Sequence, residues 1–286
     1  MKYAITGSTG KFGQTAIKTL LNKVDASEIV ALARNKAKAE KLLPAGIEIR
    51  NGSYENVEDL TESLKGIDKL LFISSIPGQN TPRLVQHTNV VRAATEAGVK
   101  FIAYTSFPQA DKAAAPLAQD HKQTEKLIKN SGIKYSFLRN NWYIKNEANY
   151  LDAGKQNQPF VYSAGDGRVG WTLEREYAEA AAKVLLLTDP KNIYEFAGKS
   201  ATYADLATAV QKATGNDFEV KSVTDDEYRK VLQSENLDQN IIDMMISFQD
   251  MIKNNTLAED TNDLEDVLGH PLPSLEEAAK EAISKL

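Results

Sequence analysis

The stretch Tyr3-Ala4-Ile5-Thr6-Gly7-Ser8-Thr9-Gly10-Lys11-Phe12-Gly13 decides the fold of this chain. An apolar run of strand length leads directly into three glycines spaced G-x-x-G-x-x-G, and a helical pattern begins at once. Glycine lets the backbone turn tightly and approach a pyrophosphate closely, while the helix start offers N–H groups and partial positive charge to an anion. We therefore predict that the residues from Gly7 to Gly13 hold the phosphates of a dinucleotide; an ordinary tight turn is the alternative.

The end of the second predicted strand indicates which dinucleotide the site prefers. NAD-binding units place a carboxylate about 20 residues further on, where it binds the ribose 2′-hydroxyl. This chain has Arg34 there, followed by Asn35 and Lys36. A guanidinium binds a phosphate through two parallel hydrogen bonds, and Lys36 adds a second positive charge. The pattern favours NADP(H) over NAD(H), unless both cations are only solvated residues at the start of a helix.

Six apolar runs of strand length alternate with amphipathic stretches over the first 140 residues. Strands are predicted at 3–6, 29–33, 47–49, 70–73, 101–105 and 135–138, and helices at 12–21, 57–64, 84–97 and 117–129. This alternation predicts an α/β fold, a doubly wound parallel sheet of the NAD(P)-binding Rossmann type with helices on both faces.

The pattern loosens after residue 143. Short strands are predicted at 159–162, 193–196 and 218–221, helices at 176–187, 203–214, 225–232, 239–253 and 275–284, and a surface loop at 254–263. Ser274, with Glu277 three residues later, forms a capping-box pattern before the last helix. We expect residues 1–143, with later returning segments, to form the NAD(P)-binding domain, and residues 144–286 to form a smaller, mostly helical lobe on the substrate side.

Composition excludes several classes of protein and site. The chain of 286 residues has no cysteine, so disulfides, thiolate catalysis and iron–sulfur clusters are excluded. Its 34 basic and 39 acidic residues, with a net charge of −5, argue against direct nucleic-acid binding. No apolar run reaches the length of a membrane span, and a strand begins at the amino terminus. We expect a cytoplasmic protein, monomeric or homodimeric, without a metal site.

Two further strand ends should face the cofactor, because ligands of open parallel sheets bind beyond the carboxyl ends of the strands. Ile73, Ser74 and Ser75 close the fourth predicted strand, and Thr105 and Ser106 close the fifth. These assignments rest on topology, since small residues also commonly end a buried strand.

Taken together, these segments resemble the NmrA-like atypical short-chain dehydrogenase/reductases, and among them the bacterial type 2 NAD(P)H:quinone oxidoreductases and the triphenylmethane reductases. The resemblance extends nearly from end to end. It is carried by residues 5–10, 29–35, 69–75, 98–106, 121–125, 138–143, 164–167 and 269–271. It implies a reductase that uses NADP(H) and acts on a small aromatic substrate such as a quinone. Many relatives bind the adenine of the cofactor through an aspartate at the end of the third strand, where this chain has Gly52-Ser53-Tyr54. We expect Tyr54 of this segment to contact the cofactor.

The resemblance also implies an unusual catalytic site. Typical members of the superfamily use Ser, Tyr and Lys, but here Ser106 lies near the Ser position, Leu117 occupies the Tyr position and His121 the Lys position. Hydride addition to a ketone gives an alkoxide almost as basic as hydroxide, which requires an acid, whereas a reduced quinone is a phenolate-like anion with a pKa of about 10. The site therefore suits quinones, or cationic dyes that form no oxyanion.

Two more groups are candidates for this site. His121 could bind the nicotinamide ribose or donate a proton to the reduced quinone, or it could be only a structural helix residue. After the sixth strand, Asn140, Asn141, Trp142 and Tyr143 could bind the carboxamide and stack on flat rings, although the aromatic pair could equally be core. We predict Asn140 and Trp142 as cofactor contacts and Asn141 and Tyr143, with Ser106 and His121, as catalytic residues.

Two functions of different classes remain open. The first is an NADPH-dependent oxidoreductase that transfers hydride to quinones or similar acceptors. The second is a non-catalytic, redox-sensing regulator of the NmrA type, because the Tyr–Lys acid is missing.

Overall fold

The computed structural model describes residues 1–235 and 237–286. The strands are β1 (Tyr3–Ile5), β2 (Ile29–Ala33), β3 (Glu48–Asn51), β4 (Lys69–Phe72), β5 (Phe101–Ser106), β6 (Lys134–Asn140), β7 (Phe160–Tyr162), β8 (Arg168–Val169), β9 (Ile193–Phe196), β10 (Ala201–Thr202) and β11 (Val220–Ser222). The helices are α1 (Lys11–Leu21), α2 (Lys36–Leu42), α3 (Val57–Leu64), α4 (Arg83–Ala97), α5 (Pro116–Asn130), α6 (Ala148–Lys155), α7 (Glu174–Leu186), α8 (Tyr203–Thr214), α9 (Asp225–Ser234), α10 (Gln239–Lys253), α11 (Asp263–Leu268) and α12 (Leu275–Ile283).

The main sheet is parallel throughout, with the strand order β3-β2-β1-β4-β5-β6-β9. β1 lies between β2 and β4, so Ala4 is in register with Val30 on one side and with Leu70 on the other. The strand order reverses at β1, and the loops that follow β1 and β4 leave the sheet at this switch point. The predicted doubly wound fold is confirmed.

Contacts between residues divide the chain into two units. The first comprises Met1–Asn140, Glu174–Phe196 and Asp263–Gly269, and the second comprises Asn141–Leu173, Ala197–Asn262 and His270–Leu286. The first change of unit falls after Asn140, three residues before the boundary expected from the sequence. The returning segments are α7 with β9, and α11.

The second half of the chain differs from the sequence prediction in several elements. The strand predicted at 193–196 is present, but it extends the main sheet beside β6. α7, predicted as the helix 176–187, packs against α1 in the first unit. The short helices α2 and α6 were not predicted, and α11 begins at Asp263, where the sequence indicated a loop. These helices have six to eight residues, too few for a clear apolar period.

The first unit has apolar layers on its sheet because the central strands are buried on both faces. Phe72, Tyr104 and Phe137 are fully buried with residues of α3, α4 and α5. α1 buries Phe12, Ala16, Ile17 and Leu20, a spacing that places them on one face. Gly98 follows α4 as its carboxyl-terminal cap, and its φ of 78° gives the left-handed turn that glycine adopts without strain.

A buried ion network joins β6 to its neighbours in the first unit. Nε and Nη2 of Arg139 donate to the two carboxylate oxygens of Glu125 on α5 at 2.9 and 2.8 Å. Nη1 of Arg139 lies 2.8 Å from a carboxylate oxygen of Glu195 on β9 and 2.7 Å from one of Asp111. The side chains of Arg139 and Glu125 are only 5% and 3% exposed, so each needs the other to compensate its lost hydration.

The second unit is mostly helical, with two small two-stranded sheets, β8 with β10 and β7 with β11. Its α12 is capped by Ser274, which forms the predicted capping box with Glu277. Among its aromatic side chains lies the buried carboxyl group of Glu147, which accepts hydrogen bonds from Trp171 Nε1 and from the Tyr203 hydroxyl, both at 3.0 Å. Burial raises the pKa of Glu147 to about 7, although these two donors act in the opposite direction.

The ion network gives the first prediction. Arg139→Met should lower the free energy of unfolding by about 3–5 kcal/mol, because it leaves the Glu125 carboxylate buried without its cation. The matched control is Arg92→Met, which breaks an exposed pair with Glu96 and should change stability by less than about 1 kcal/mol. Urea unfolding measures both variants. Equal losses would contradict the buried pair, and adding Glu125→Met to Arg139→Met should restore part of the stability.

Glu147 gives a second prediction, on pH. Because its folded pKa is raised above the usual value of 4.5, the folded state holds a proton that the unfolded state has released between about pH 4.5 and 7. Stability of the wild type should therefore fall as pH rises through that range, by about 3 kcal/mol relative to Glu147→Gln. Urea unfolding of both proteins at pH 5 and pH 8 tests this. Parallel pH profiles would show that Glu147 titrates normally.

Candidate active site

The glycine turn after β1 has the conformation that the sequence predicts. Gly7 has a φ of +57°, and its carbonyl oxygen accepts a hydrogen bond from the Gly10 N–H at 3.0 Å. A Cβ atom on Gly13 would lie 2.5 Å from the Gly7 oxygen and 2.7 Å from the Ser8 Cα, so a larger residue cannot fit there. Gly10 caps α1 without a side-chain hydrogen bond, so the first N–H groups of the helix are not capped by a side chain.

The residues between the glycines divide into structural and exposed groups. Ser8 is fully buried, and its hydroxyl donates to the Leu32 carbonyl at the end of β2 at 2.8 Å. Phe12 is buried in the core, while Lys11 is exposed and Thr9 is half-buried. The Ser8 and Phe12 side chains therefore fix the turn, and the backbone N–H groups and Lys11 are the parts of it that can bind an anion.

Two cations follow β2, as the sequence predicts. Arg34 and Lys36 are exposed, and neither forms an ion pair with any residue that the structure describes. Asn35 between them caps α2, because its side-chain oxygen accepts from the Lys38 N–H at 2.9 Å. Nearby, a Cβ atom on Gly52 would lie 2.5 Å from the Leu32 carbonyl carbon, so the end of β3 approaches β2 as closely as a backbone can.

The predicted contacts after β4 and β5 bind one another through hydrogen bonds. The Tyr54 hydroxyl donates to the Ile73 carbonyl at 2.8 Å, and the Ser74 N–H donates to the Thr105 hydroxyl at 2.9 Å. The Thr105 hydroxyl in turn donates to Ser74 Oγ at 3.2 Å. Ser75 is bound through its N–H to His87 on α4, with 3.0 Å to Nε2. These bonds hold the segment after β4 in a fixed shape. The segment lies next to the glycine turn, since the Ile73 side chain is beside Gly7.

The hydrogen bonds of His87 determine its tautomer. The Ser75 N–H can only donate, so Nε2 of His87 accepts and the neutral ring carries its proton on Nδ1. Nδ1 donates to Thr124 Oγ1 at 2.8 Å, and that hydroxyl donates to the Asp120 carbonyl. Burial, with the charge of Arg83, lowers the pKa of His87 to about 3, so this ring is neutral at physiological pH.

His121 on α5 is bound through one nitrogen. The Tyr104 hydroxyl lies 2.9 Å from His121 Nδ1 and 3.4 Å from His87 Nδ1, which already carries a proton. We assign Tyr104 as the donor to His121 Nδ1, an assignment that places the proton of the neutral His121 ring on Nε2. Burial, together with the charge of Arg83, holds the pKa of His121 well below 6.5. His121 thus offers a neutral N–H donor at the position where the resemblance implies a lysine.

Ser106 lies at the end of β5, but its hydroxyl is used within the first unit. It donates to Glu125 Oε1 at 2.7 Å, and Glu125 is held by Arg139. In this arrangement the Ser106 proton is not available to a substrate oxygen. Asn140, which ends β6 in the same unit, is buried.

The remaining predicted residues belong to the second unit. The Asn141 side chain donates to the Leu257 carbonyl at 3.1 Å and accepts from the Trp142 N–H at 2.8 Å. Trp142 is buried and packs edge-on against Phe248, with ring centres 5.2 Å apart. Tyr143 is half-buried, and Lys145 Nζ lies 5.4 Å from the centre of its ring.

Sequence reasoning missed four residues that shape this region: Gly52, Arg83, His87 and Glu125. Nothing in the local sequence pattern around His87 indicates that it binds the segment after β4. Glu125 could have been suspected, because a carboxylate at a buried position on an amphipathic helix requires a partner. Its partner Arg139 lies 14 residues away, so only the packing of α5 against β6 reveals the pair.

The residues present fit an NADP(H) molecule. The glycine turn has the close backbone approach that a pyrophosphate requires, and α1 begins without a side-chain cap that would compete for its N–H groups. Arg34 and Lys36 are available for a 2′-phosphate, since neither is neutralised by an ion pair within the described part of the chain.

Comparisons with known proteins agree with this geometry. Residues 7–170 match the profile of a family described as NAD(P)H-binding. Over 278 residues the chain is 39% identical to quinone oxidoreductase 2 of Escherichia coli, covering 96% of both chains.

Two solved structures are similar to this chain over nearly its whole length. The NADPH-dependent quinone oxidoreductase of Escherichia coli in complex with NADPH is 37% identical, with a TM-score of 0.91 over 98% of this chain and 99% of that one. Triphenylmethane reductase from Citrobacter sp. in complex with NADP(H) is 34% identical, with a TM-score of 0.89 over 98% and 100%. These findings confirm the resemblance and the cofactor class expected from the sequence. The chain therefore belongs to the NAD(P)H-binding family.

Proposed function

We propose that this protein is an NADPH-dependent oxidoreductase that transfers hydride to quinones or similar electrophilic aromatic acceptors without a Tyr–Lys proton donor. The observation that carries the proposal is His121, a buried neutral imidazole held by Tyr104 at the lysine position of typical relatives. The names of the similar proteins, a quinone oxidoreductase and a triphenylmethane reductase, support the same class of acceptor.

The cofactor supplies hydride when it is bound, and the protein's part is to bind and orient both reactants. The glycine turn and the start of α1 bind the pyrophosphate, and Arg34 with Lys36 binds the 2′-phosphate. Ile73, Ser74, Ser75 and Thr105 form the bonded segment along which the nicotinamide half lies. His121 donates its Nε2 proton in a hydrogen bond to the ribose or to the acceptor, and stays neutral while it does so.

The other predicted catalytic residues act by positioning. Ser106 orients Glu125, and through it the Arg139 network at the ends of β5 and β6. Asn141 fixes the backbone of the segment that presents Trp142 and Tyr143, the flat rings proposed to contact aromatic ligands. None of these residues needs to release a proton, because a reduced quinone is a weak base that water can protonate.

A redox-sensing regulator is the second candidate function. It is favoured by one observation: the Ser106 and Asn141 side chains are both used in internal hydrogen bonds, which leaves few groups for chemistry. Oxidation of NADPH followed by absorbance, with a panel of quinones and cationic dyes, separates the two functions. Tight NADPH binding without turnover of any acceptor would support the regulator.

Cofactor preference gives a third prediction. Arg34→Ala should weaken NADPH binding by about 1–3 kcal/mol and leave NADH binding almost unchanged, because only NADPH carries the 2′-phosphate. Fluorescence titration of the two cofactors measures the difference. As a control, Gly10→Val should impair both cofactors by blocking the shared approach of the pyrophosphate. Equal losses for both cofactors in Arg34→Ala would disprove the assignment.

The role of His121 gives a fourth prediction. His121→Ala should lower turnover by about tenfold or less, since general acid catalysis, typically worth about 10²–10⁴-fold, is not required. The wild-type rate should stay nearly constant from about pH 6 to 8.5, because the depressed pKa keeps His121 neutral throughout that range. Turnover at saturating NADPH and quinone measures both effects. A loss beyond about a hundredfold, with a titration near neutrality that the variant lacks, would make His121 the proton donor.

A further inference from the structure

Arg83, the first residue of α4, is a partly buried cation. Its Nε and Nη1 atoms are buried and have no hydrogen-bond partner among the residues that the structure describes. A buried polar group without a partner loses its hydration and gains nothing in return, and the loss is larger for a charge. A contribution to the stability of the fold therefore does not explain why an arginine lies at this position.

The surroundings of Arg83 are the polar residues of the candidate site. His87 lies one turn further along the same helix, and it binds Ser75 and Thr124. Arg83 is close enough to both His87 and His121 for its charge to lower their pKa values. Burial lowers the pKa of Arg83, and the charges of Tyr104 and Asp120 act in the opposite direction. Neither of these two residues accepts a hydrogen bond from the buried nitrogens of Arg83. Nε and Nη1 of Arg83 and the Nε2 proton of His121 thus remain as donors in one cluster.

Hydride transfer to a quinone creates a charge that these donors suit. The C–H bond of the reduced nicotinamide breaks, its electron pair forms a new bond to the quinone, and the electrons of the quinone π system collect on a carbonyl oxygen. The nicotinamide becomes oxidised, and the reduced acceptor is an oxyanion until water supplies a proton. A fixed guanidinium in a partly buried site stabilises such a charge far more than it stabilises a neutral carbonyl.

We propose that Arg83 is the oxyanion-binding residue of this site, its guanidinium donating to the oxygen that becomes negative, beside His121 Nε2. The inference rests on the proposed function and extends it to a catalytic residue and a substrate class. Acceptors that become anionic are favoured, and acceptors that carry a positive charge are disfavoured by the same guanidinium.

The test compares Arg83→Met with Arg83→Lys and with the control Arg92→Met, an exposed arginine on the same helix. The acceptors are 2-methyl-1,4-naphthoquinone, which becomes an oxyanion, and crystal violet, a cation that becomes neutral. In Arg83→Met, kcat/KM for the quinone should fall about 10²–10³-fold, while that for crystal violet stays unchanged or rises. Arg83→Lys should retain part of the quinone activity. Equal losses for both acceptors would overturn the proposal.

A binding experiment judges the same residue without turnover. With the protein saturated with NADP⁺, 4-nitrophenol is titrated near neutral pH, where its ionised and neutral forms have different absorption spectra. The wild type and Arg92→Met should hold the ionised form, and Arg83→Met should bind it at least tenfold more weakly. Ionised probe held equally by Arg83→Met would overturn the proposal. If the wild type reduces neither acceptor but binds the phenolate, and Arg83→Met does not bind it, the proposed reductase function is wrong and the anion-binding role of Arg83 is supported.

The stability of Arg83→Met distinguishes an oxyanion-binding role of Arg83 from a structural one. Because the buried nitrogens of Arg83 have no partner in the described chain, Arg83→Met should unfold in urea at the same concentration as the wild type or at a higher one. A clear loss of stability, with both activities reduced in parallel, would identify Arg83 as a structural cation.

Discussion

The close approach of Gly13 to the Gly7 carbonyl is the constraint on which the rest of the structure depends. A single Cβ atom there would meet backbone atoms at 2.5 and 2.7 Å, and no side-chain rotation could relieve the overlap. Only without that atom can α1 begin directly over the end of β1, so that its N–H groups converge on the turn. The same contact sets α1 on the sheet, where it buries Ile17 and Leu20 and meets α7.

Around this turn, most polar side chains at the strand ends bind each other. The Thr6 hydroxyl accepts a hydrogen bond from the Ile73 N–H, and the Ser8 hydroxyl donates one to the Leu32 carbonyl. The Thr105 hydroxyl accepts from the Ser74 N–H. Such bonds satisfy buried polar groups, and they also make the strand ends rigid. The side chains left to bind a ligand are consequently few, and in the first unit the main ones are cations and an imidazole: Lys11, Arg34, Lys36, Arg83 and His121. A site made of such donors is suited to phosphates and to oxygens that gain negative charge.

The sequence predicts the sheet well because its signals are local. The alternation of apolar runs gives all six strands before residue 143 and four of the five helices there, and the glycine spacing marks the first βα turn. Short helices such as α2 are missed because seven residues show too little periodicity, and β9 is misplaced because nothing local indicates that a strand after residue 190 pairs with β6.

The site is only partly predictable for the same physical reason. Gly7, Gly10, Arg34 and Lys36 follow from sequence order along one βα unit, so their pattern is visible without a structure. The state of a side chain depends on partners that are distant in sequence: Ser106 on Glu125, His121 on Tyr104, His87 on Ser75. These partners decide which protons are available. In this chain, the Ser106 hydroxyl donates to Glu125, whereas the His121 Nε2 proton remains available. The position of Ser106 in the superfamily alone would suggest instead that its hydroxyl is free to bind a substrate. For the proposed reductase, we therefore infer electrostatic stabilisation by fixed donors, rather than proton transfer, as the catalytic contribution of these residues.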